Sequence, residues 1–285
     1  MTLSINDLLY RYAAQGNRPD GTPYRSLSCN HENLIAEEAE CSLREVQLTA
    51  LRQGIVPERY SRNQMTFSSE EQITLLRSHV AVIGQGGLGG TVTEILARLG
   101  IGMLTLVDGD IFEESNLNRQ LLSTMNTLGM KKAEAGKERV QIINPAVEVR
   151  SITEFFSEKN GRTILENVHL AVDCLDTIPS RFVLEEACRR NRIPLVSAAI
   201  GGNSGQATVI YPEDVGLQRI YGNRPSTTQK GVEKKLGTPS YTATLMAAIE
   251  CAEIAAILCK NSSCLRNHLL MVNIEDKSID KISLD

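Results

Sequence analysis

No Cys-x-x-Cys pair occurs in this chain of 285 residues. Its seven cysteines, Cys29, Cys41, Cys174, Cys188, Cys251, Cys259 and Cys264, are odd in number and scattered. A disulfide framework is therefore not expected, and no structural zinc is expected either, because thiolate zinc sites need matched pairs at short spacing. Small, buried apolar side chains are the expected role for most of them. Also missing is any block of Lys and Arg. With 30 basic against 34 acidic residues and a net charge of −4, the chain does not look made for nucleic acid or an anionic membrane. The first ten residues contain no Lys or Arg and no long apolar core, so no signal peptide is expected. No apolar stretch is expected to reach the length of a membrane span, which makes a cytoplasmic location the default expectation. The rest is ordinary: 42% hydrophobic and 22% charged residues, enough for one large α/β domain with an appendage.

One stretch organises the chain, from His79 to Gln120. The apolar run Val80-Ala81-Val82-Ile83 turns through Gly84-Gln85-Gly86-Gly87-Leu88-Gly89-Gly90 into a helical pattern, with Val92, Ile95, Leu96 and Leu99 on one face. Gly100 and Gly102 stop that helix. A second apolar run, Met103 to Val107, ends in Asp108-Gly109-Asp110, and Ser115-Asn116-Leu117-Asn118-Arg119-Gln120 follows. Strand, glycine turn, helix, strand and acid is the order of a nucleotide site. Glycines let backbone approach a phosphate, the helix N-terminus offers free N–H groups, and an acid ending the next strand accepts from ribose hydroxyls. On these features alone NAD and ATP fit equally.

The following residues break that tie. Gly84 to Gly89, Asp108 with Asp110, Ser115 to Gln120, Gly129 to Lys132, and Asp176 after a later apolar run resemble, in order, the G-x-G-G-x-G, D-x-D, S-N-L-x-R-Q, G-x-x-K and strand-end aspartate of the MoeB/ThiF/HesA family, which adenylates ubiquitin-like proteins. The resemblance covers roughly Tyr60 to Ile257. It implies a Rossmann-like, doubly wound, mostly parallel sheet, mixed toward the C-terminal half. It also implies an ATP- and Mg²⁺-dependent adenylyltransferase that activates the C-terminal Gly-Gly carboxylate of a small β-grasp sulfur-carrier protein and releases pyrophosphate, in sulfur transfer for cofactor biosynthesis. Carried over residue by residue, Gly84, Gly86, Gly87 and Gly89 cradle phosphate and Asp108 holds the ribose. Asp110, Asn116, Gln120 and Leu175 line the nucleotide, Arg119 and Lys132 set charge against the phosphates, and Asp176 sits by Mg²⁺. Lys131 is the alternative to Lys132. Arg59-Tyr60-Ser61-Arg62-Asn63 resembles the family's entry sequence, whose second arginine, here Arg62, reaches the partner's ATP in a homodimer; its final Gln is Asn63 here. Read without that context, Arg62 is a surface arginine.

Departures matter as well. Many relatives carry two Cys-x-x-Cys pairs, absent here. Some place a reactive cysteine on the loop before the last helix, and this chain has none between Cys188 and Cys251. Cys174, in an apolar strand, reads as structural. Asp173-Cys174-Leu175-Asp176-Thr177 has threonine where the family has asparagine, and Arg181 matches a family arginine.

Residues 1–58 fall outside the resemblance and read as a small helical extension to an adenylation domain over 59–285. A capped helix near Ser4 and Asp7 precedes a turn-rich piece from Asn17 to Pro23, and one long helix with an acidic face is expected from Glu32 to Arg52. It either packs on a partner or carrier, or covers its own domain; the acidic face disfavours a DNA-binding reading. Gly201, Gly202 and Gly205 suit either a groove for a Gly-Gly tail or a plain turn. Residues 213–239, with Gln218, Gln229 and a charge run from Lys230 to Lys235, read as a mobile crossover loop. Thr242 to Lys260 reads as a long helix and 269–284 as a terminal hairpin. The rival readings are a related branch that adenylates a carboxylate on a modified tRNA nucleoside, an NAD-dependent oxidoreductase, and a non-catalytic carrier-binding relative.

Overall fold

The computed structural model describes residues 4–18, 20–224, 233–260 and 264–284. In chain order the elements are α1 (Ile5–Tyr12), β1 (Ala14–Asn17), β2 (Pro23–Leu27), α2 (Cys29–Glu38), α3 (Leu43–Arg52), β3 (Ile55–Pro57), α4 (Ser69–Arg77), β4 (His79–Ile83), α5 (Gly87–Leu99), β5 (Met103–Val107) and α6 (Lys132–Ile143). Then follow β6 (Glu148–Ile152), α7 (Gly161–Ile164), β7 (Leu170–Asp173), α8 (Ile178–Asn191), β8 (Leu195–Gly201), β9 (Ser204–Ile210), α9 (Gln218–Tyr221), α10 (Glu233–Leu236), α11 (Ser240–Leu258), β10 (His268–Asn273) and β11 (Ser278–Ser283). Short 3-10 turns occupy Glu58–Asn63 and Glu114–Asn116.

The main sheet has eight strands in the order β11-β10-β9-β8-β7-β4-β5-β6. From β8 to β6 the pairing is parallel, and β9, β10 and β11 are antiparallel, as expected of a doubly wound sheet that becomes mixed toward the C-terminus. Side chains alternate along each strand, so the sheet feeds two cores. Val80, Val82, Leu104 and Val172 face α5 and α11, while Ala81, Ile83, Val107 and Ala171 face α7 and α8. Strand order reverses between β4 and β7, where Ile83 pairs with Asp173. That reversal leaves a crevice at the carboxyl ends of the two strands, the usual ligand position in open α/β sheets.

Helix α11 corrects an expectation. It is long and apolar enough to cross a membrane by length and composition. Eight of its residues, Glu250 and Cys251 among them, are nevertheless buried, and Met246, Ala247, Cys251 and Ile254 belong to the core on one face of the sheet. In the loop before it, α9 and α10 are single helical turns; Gln229 and Lys230 fall outside the described residues.

The N-terminal extension differs most from expectation. The predicted helix over 32–52 is two helices: Glu40 sits at φ +50°, and Ser42 caps α3 by accepting from the Glu45 N–H. Ser42-Leu43-Arg44-Glu45 is an S-x-x-E start signal, which local chemistry favours over a continuous acidic helix. The turn-rich piece from Asn17 to Pro23 connects β1 to β2, and β3 joins them in a three-stranded sheet. Leu8, Leu9, Leu27, Ile35, Val46, Ala50 and Ile55 make a core of their own beneath it. The extension is therefore a small α/β module.

This module closes the amino end of the main sheet. Arg44 donates to the Gly102 carbonyl at 3.2 Å and pairs with Glu148 at 2.8 Å. Arg59 donates to the Ile143 carbonyl at 3.1 Å. Tyr60 is 1% exposed; its hydroxyl donates to Gln47 at 3.2 Å and accepts from Asn144 at 2.9 Å. Its ring packs on Gly100, where a Cβ would collide with it, and Gly100 (φ +79°) is the left-handed cap ending α5.

Candidate nucleotide-binding site

At the other end of α5 the backbone comes too close to its neighbours for side chains. Gly84 has φ +96°, and a Cβ there would lie 2.6 Å from the Cys174 carbonyl oxygen on the neighbouring chain segment. A Cβ on Gly89 would overlap the Gly84 oxygen at 1.8 Å. Gln85, between the glycines, points inward and is fully buried, with its Oε1 accepting from Thr93 at 2.9 Å. Gly86 is the N-cap of α5, and no side chain caps the helix. The first N–H groups of α5 are thus left to a ligand, and the helix dipole favours an anion there.

The acids and bases gather around this loop. Asp108, at the end of β5, accepts from the Gln85 N–H at 2.7 Å and the Asp110 N–H at 2.8 Å, tying the glycine turn to the neighbouring strand. Lys132 starts α6 with its side chain 8% exposed and its ammonium 3.3 Å from the Asp110 carboxylate. The neighbouring Lys131 instead lies exposed and donates to the Gly109 carbonyl, so of the two lysines Lys132 is the one drawn inward. Asn116 is buried and caps its own turn, accepting from the Glu113 N–H at 3.1 Å. The half-exposed Arg119 folds back on the Ser115 carbonyl (2.9 Å) and the Asn118 side chain (2.8 Å). Its backbone oxygen lies against Gly87. Gln120 is buried with its Nε2 toward Gly86, and its Oε1 has no hydrogen-bond partner.

Asp176 is exposed just beyond β7, after Leu175. Among the described residues no group of three or more His, Cys, Asp or Glu is placed to hold a metal by itself. A single strand-end carboxylate matches Mg²⁺, which is commonly held by one or two carboxylates together with substrate phosphates. The cradle free of side chains and the uncapped helix likewise fit a nucleotide.

Arg62 is the predicted site residue that the chain does not bring to this rim. It is exposed on the 3-10 turn that includes Tyr60, beside the C-terminal cap of α5. The 13 residues of α5 put about 20 Å between that cap and the glycine loop. Arg62 therefore lies away from the glycine loop of its own chain.

Beneath Asp176 lies a buried polar cluster that sequence reasoning missed. Arg181 of α8 is 6% exposed and donates to Asp173 (3.0 Å), the Ala198 carbonyl (2.6 Å) and the Leu175 carbonyl (2.5 Å). Asp173 also accepts from Ser197 (2.6 Å) and the Leu175 N–H (3.1 Å). Glu250 of α11 is fully buried next to this pair, and its carboxyl group lies by the Ala198 backbone. Burial, reinforced by the Asp173 charge and opposed by Arg181, pushes the Glu250 carboxyl well above the usual range. Burial likewise pushes the Cys174 thiol up, against a nucleophilic role for it. One sequence signal existed: Glu250 is a charge inside a helix with few others.

Fold and rim together define a Rossmann-type nucleotide-binding protein with charge disposed for phosphate chemistry. Residues 60–284 match the model of the ThiF family. The chain is 30% identical over 230 residues to the SAMP-activating enzyme E1 of Haloferax volcanii, covering 79% of this chain and 84% of that one. It is 33% identical over 202 residues to the adenylyltransferase and sulfurtransferase MOCS3 of Drosophila yakuba, covering 69% of this chain but 45% of that one. Among solved structures, the E. coli tRNA N6-threonylcarbamoyladenosine dehydratase TcdA in complex with ATP superposes with a TM-score of 0.60 at 23% identity, over 71% of this chain and 94% of that one. The chain belongs to the ThiF family, and with that family it is an adenylyltransferase.

Proposed function

We propose that the protein uses ATP and Mg²⁺ to adenylate the C-terminal carboxylate of a small ubiquitin-like sulfur-carrier protein ending in Gly-Gly. A carboxylate oxygen attacks the α-phosphorus, the bond to the β-phosphate oxygen breaks, and pyrophosphate leaves. The substrate brings its own nucleophile, so the enzyme has to supply orientation and positive charge. The observation that carries this reading is the rim itself: an uncapped glycine cradle ringed by Asp108, Arg119, Lys132 and Asp176. In this reading the loop N–H groups hold phosphate and Asp108 the ribose. Asn116, Gln120 and Leu175 line the nucleotide, and Arg119 and Lys132 face the developing charge. Mg²⁺ held at Asp176 adds charge against the α-phosphate. With no cysteine between Cys188 and Cys251, the adenylate is not passed to a thiol on the loop before α11 but is left for an external sulfur donor.

A homodimer belongs to this reading. Arg62 lies a helix length from its own cradle, and α11 leaves Tyr241, Leu245, Ala248 and Ala252 exposed along one face. A helix apolar all round calls for cover on both faces. The name of the Haloferax relative, a SAMP-activating enzyme, supports a protein substrate.

The test is ATP–pyrophosphate exchange with a Gly-Gly-ended carrier, beside the same carrier lacking its last glycine. Exchange that needs the intact tail is the expected result. ATP binding without exchange across a panel of carriers would overturn the carrier assignment and move the search to tRNA.

A further inference from the structure

The buried pair Asp173–Arg181 grips the backbone of one residue from both sides. Asp173 accepts from the Leu175 N–H at 3.1 Å, and Arg181 donates to the Leu175 carbonyl. Leu175 is thereby fixed at both its backbone polar groups, immediately before Asp176. The pair is anchored in turn. Arg181 reaches across to the Ala198 carbonyl of β8 at 2.6 Å, and the Ser197 hydroxyl donates to Asp173 at 2.6 Å. Three elements therefore converge on the short segment that carries the exposed acid: β7, β8 and the first turns of α8. A rigid, planar guanidinium suits this task, because its fork reaches a carboxylate and two carbonyls at once, which the point charge of an ammonium cannot do. Arg181 and Asp173 are too deeply buried to touch a nucleotide themselves (6% and 0% exposed).

We propose that Asp173 and Arg181 are positioning residues for Mg²⁺–ATP, setting the backbone of Leu175 so that the Asp176 carboxylate stands where the metal and phosphates need it. This rests on the metal role given to Asp176 above, but not on the identity of the carrier. Residues that orient a metal-bearing carboxylate typically change metal affinity about 10–100-fold when altered.

The test is ATP affinity by calorimetry, with Mg²⁺ and in EDTA, for the wild-type protein, Asp176→Asn, Arg181→Lys and the double variant. Thermal melts establish that each is folded. In wild type, Mg²⁺ should tighten ATP binding. Arg181→Lys should lose about 10-fold or more of that Mg²⁺-dependent gain, as Asp176→Asn does, while its affinity in EDTA stays within about 3-fold. The double variant should lose no more than the worse single, because both changes remove one effect. Should Arg181→Lys fail to fold, Ser197→Ala, which removes a single hydroxyl from the cluster, should show a smaller loss in the same direction, again confined to the Mg²⁺-dependent gain. A wild-type Mg²⁺ effect in folded Arg181→Lys, or in Ser197→Ala where that variant carries the test, would overturn the proposal, as would losses that multiply in the double variant. A wild-type Mg²⁺ effect in Asp176→Asn would remove the metal role of Asp176 and this proposal with it, leaving the exchange assay to judge carrier adenylation separately.

Discussion

At the amino ends of β4, β5 and β6 the strand ends are covered and most polar groups are paired. The His79 ring bonds Thr105 at 2.8 Å and the Asn167 carbonyl at 3.0 Å, Arg44 holds the Gly102 carbonyl, and Tyr60 and Asn144 bond each other beneath the N-terminal module. At the carboxyl ends of β4, β5 and β7, Asp176 is exposed, Arg119 rests on its own loop, Gln120 has an orphan oxygen and α5 has no side-chain cap. Apolar side chains stand in solvent there too: Leu121 is 53% and Met125 76% exposed. One sheet therefore has a sealed end and an open end. The sealed end is closed by the chain itself, with single unpaired atoms left on Glu32, Arg59 and Gln72, whereas at the open end the loose groups stand where a ligand can reach them.

Five substitutions break or sharpen that contrast. The largest effect belongs to the open end. Arg119→Ala or Asp176→Ala should lower adenylation at least about 100-fold in the exchange assay, the scale of losing one well-placed charge. Both side chains are solvent-accessible, so stability should move by no more than about 0.5 kcal/mol. At the sealed end the pattern should invert. Asn144→Ala deletes donors to Tyr60 and the Ala97 carbonyl (2.9 and 3.0 Å), and should cost about 2–3 kcal/mol in urea unfolding while leaving exchange per folded molecule unchanged. A kinetic defect in that variant would break the comparison.

Glu250→Gln probes the boundary between the two ends. The carboxyl of Glu250 titrates well above its ordinary 4.5 in the folded protein, so above that pH the unfolded chain releases a proton that the folded chain keeps. The unfolded state then binds fewer protons, and stability falls as pH rises from 4.5 toward the folded pKa, by at most about 1.4 kcal/mol per pH unit. Removing the group should flatten this decline, so the gain in melting temperature over wild type should be larger at pH 8 than at pH 5. The smallest effect is expected of Glu148→Ala, which removes an ion pair to Arg44 whose side chains are 57% and 30% exposed; about 0.2–1 kcal/mol in urea unfolding is the expected cost.

The open end was largely legible in the sequence because its chemistry is local. Glycines that must not carry a Cβ, an acid at a strand end, and Asn116, Arg119 and Lys132 at fixed spacing can be read without knowing what packs where. The sealed end was not. The strands β1 and β2 are short and without clear alternation, so Asn17 to Pro23 read as a turn between helices, and the Ser42 cap was passed over in favour of an acidic stripe. Arg181, Asp173 and Glu250 come from α8, β7 and α11, and their meeting depends on tertiary packing that no spacing reveals. The position of Arg62 was hidden for the same reason: its sequence context is readable, but its distance from the cradle follows from Tyr60 docking at the far end of α5.

The most direct measurement of the central claim is the intact mass of a Gly-Gly-ended carrier after incubation with ATP, Mg²⁺ and either wild-type protein or Asp176→Asn. Addition of one AMP to the carrier by wild type, and not by Asp176→Asn, is the predicted result. A carrier left unmodified by wild-type protein that binds ATP, or modified equally by both, would contradict the account.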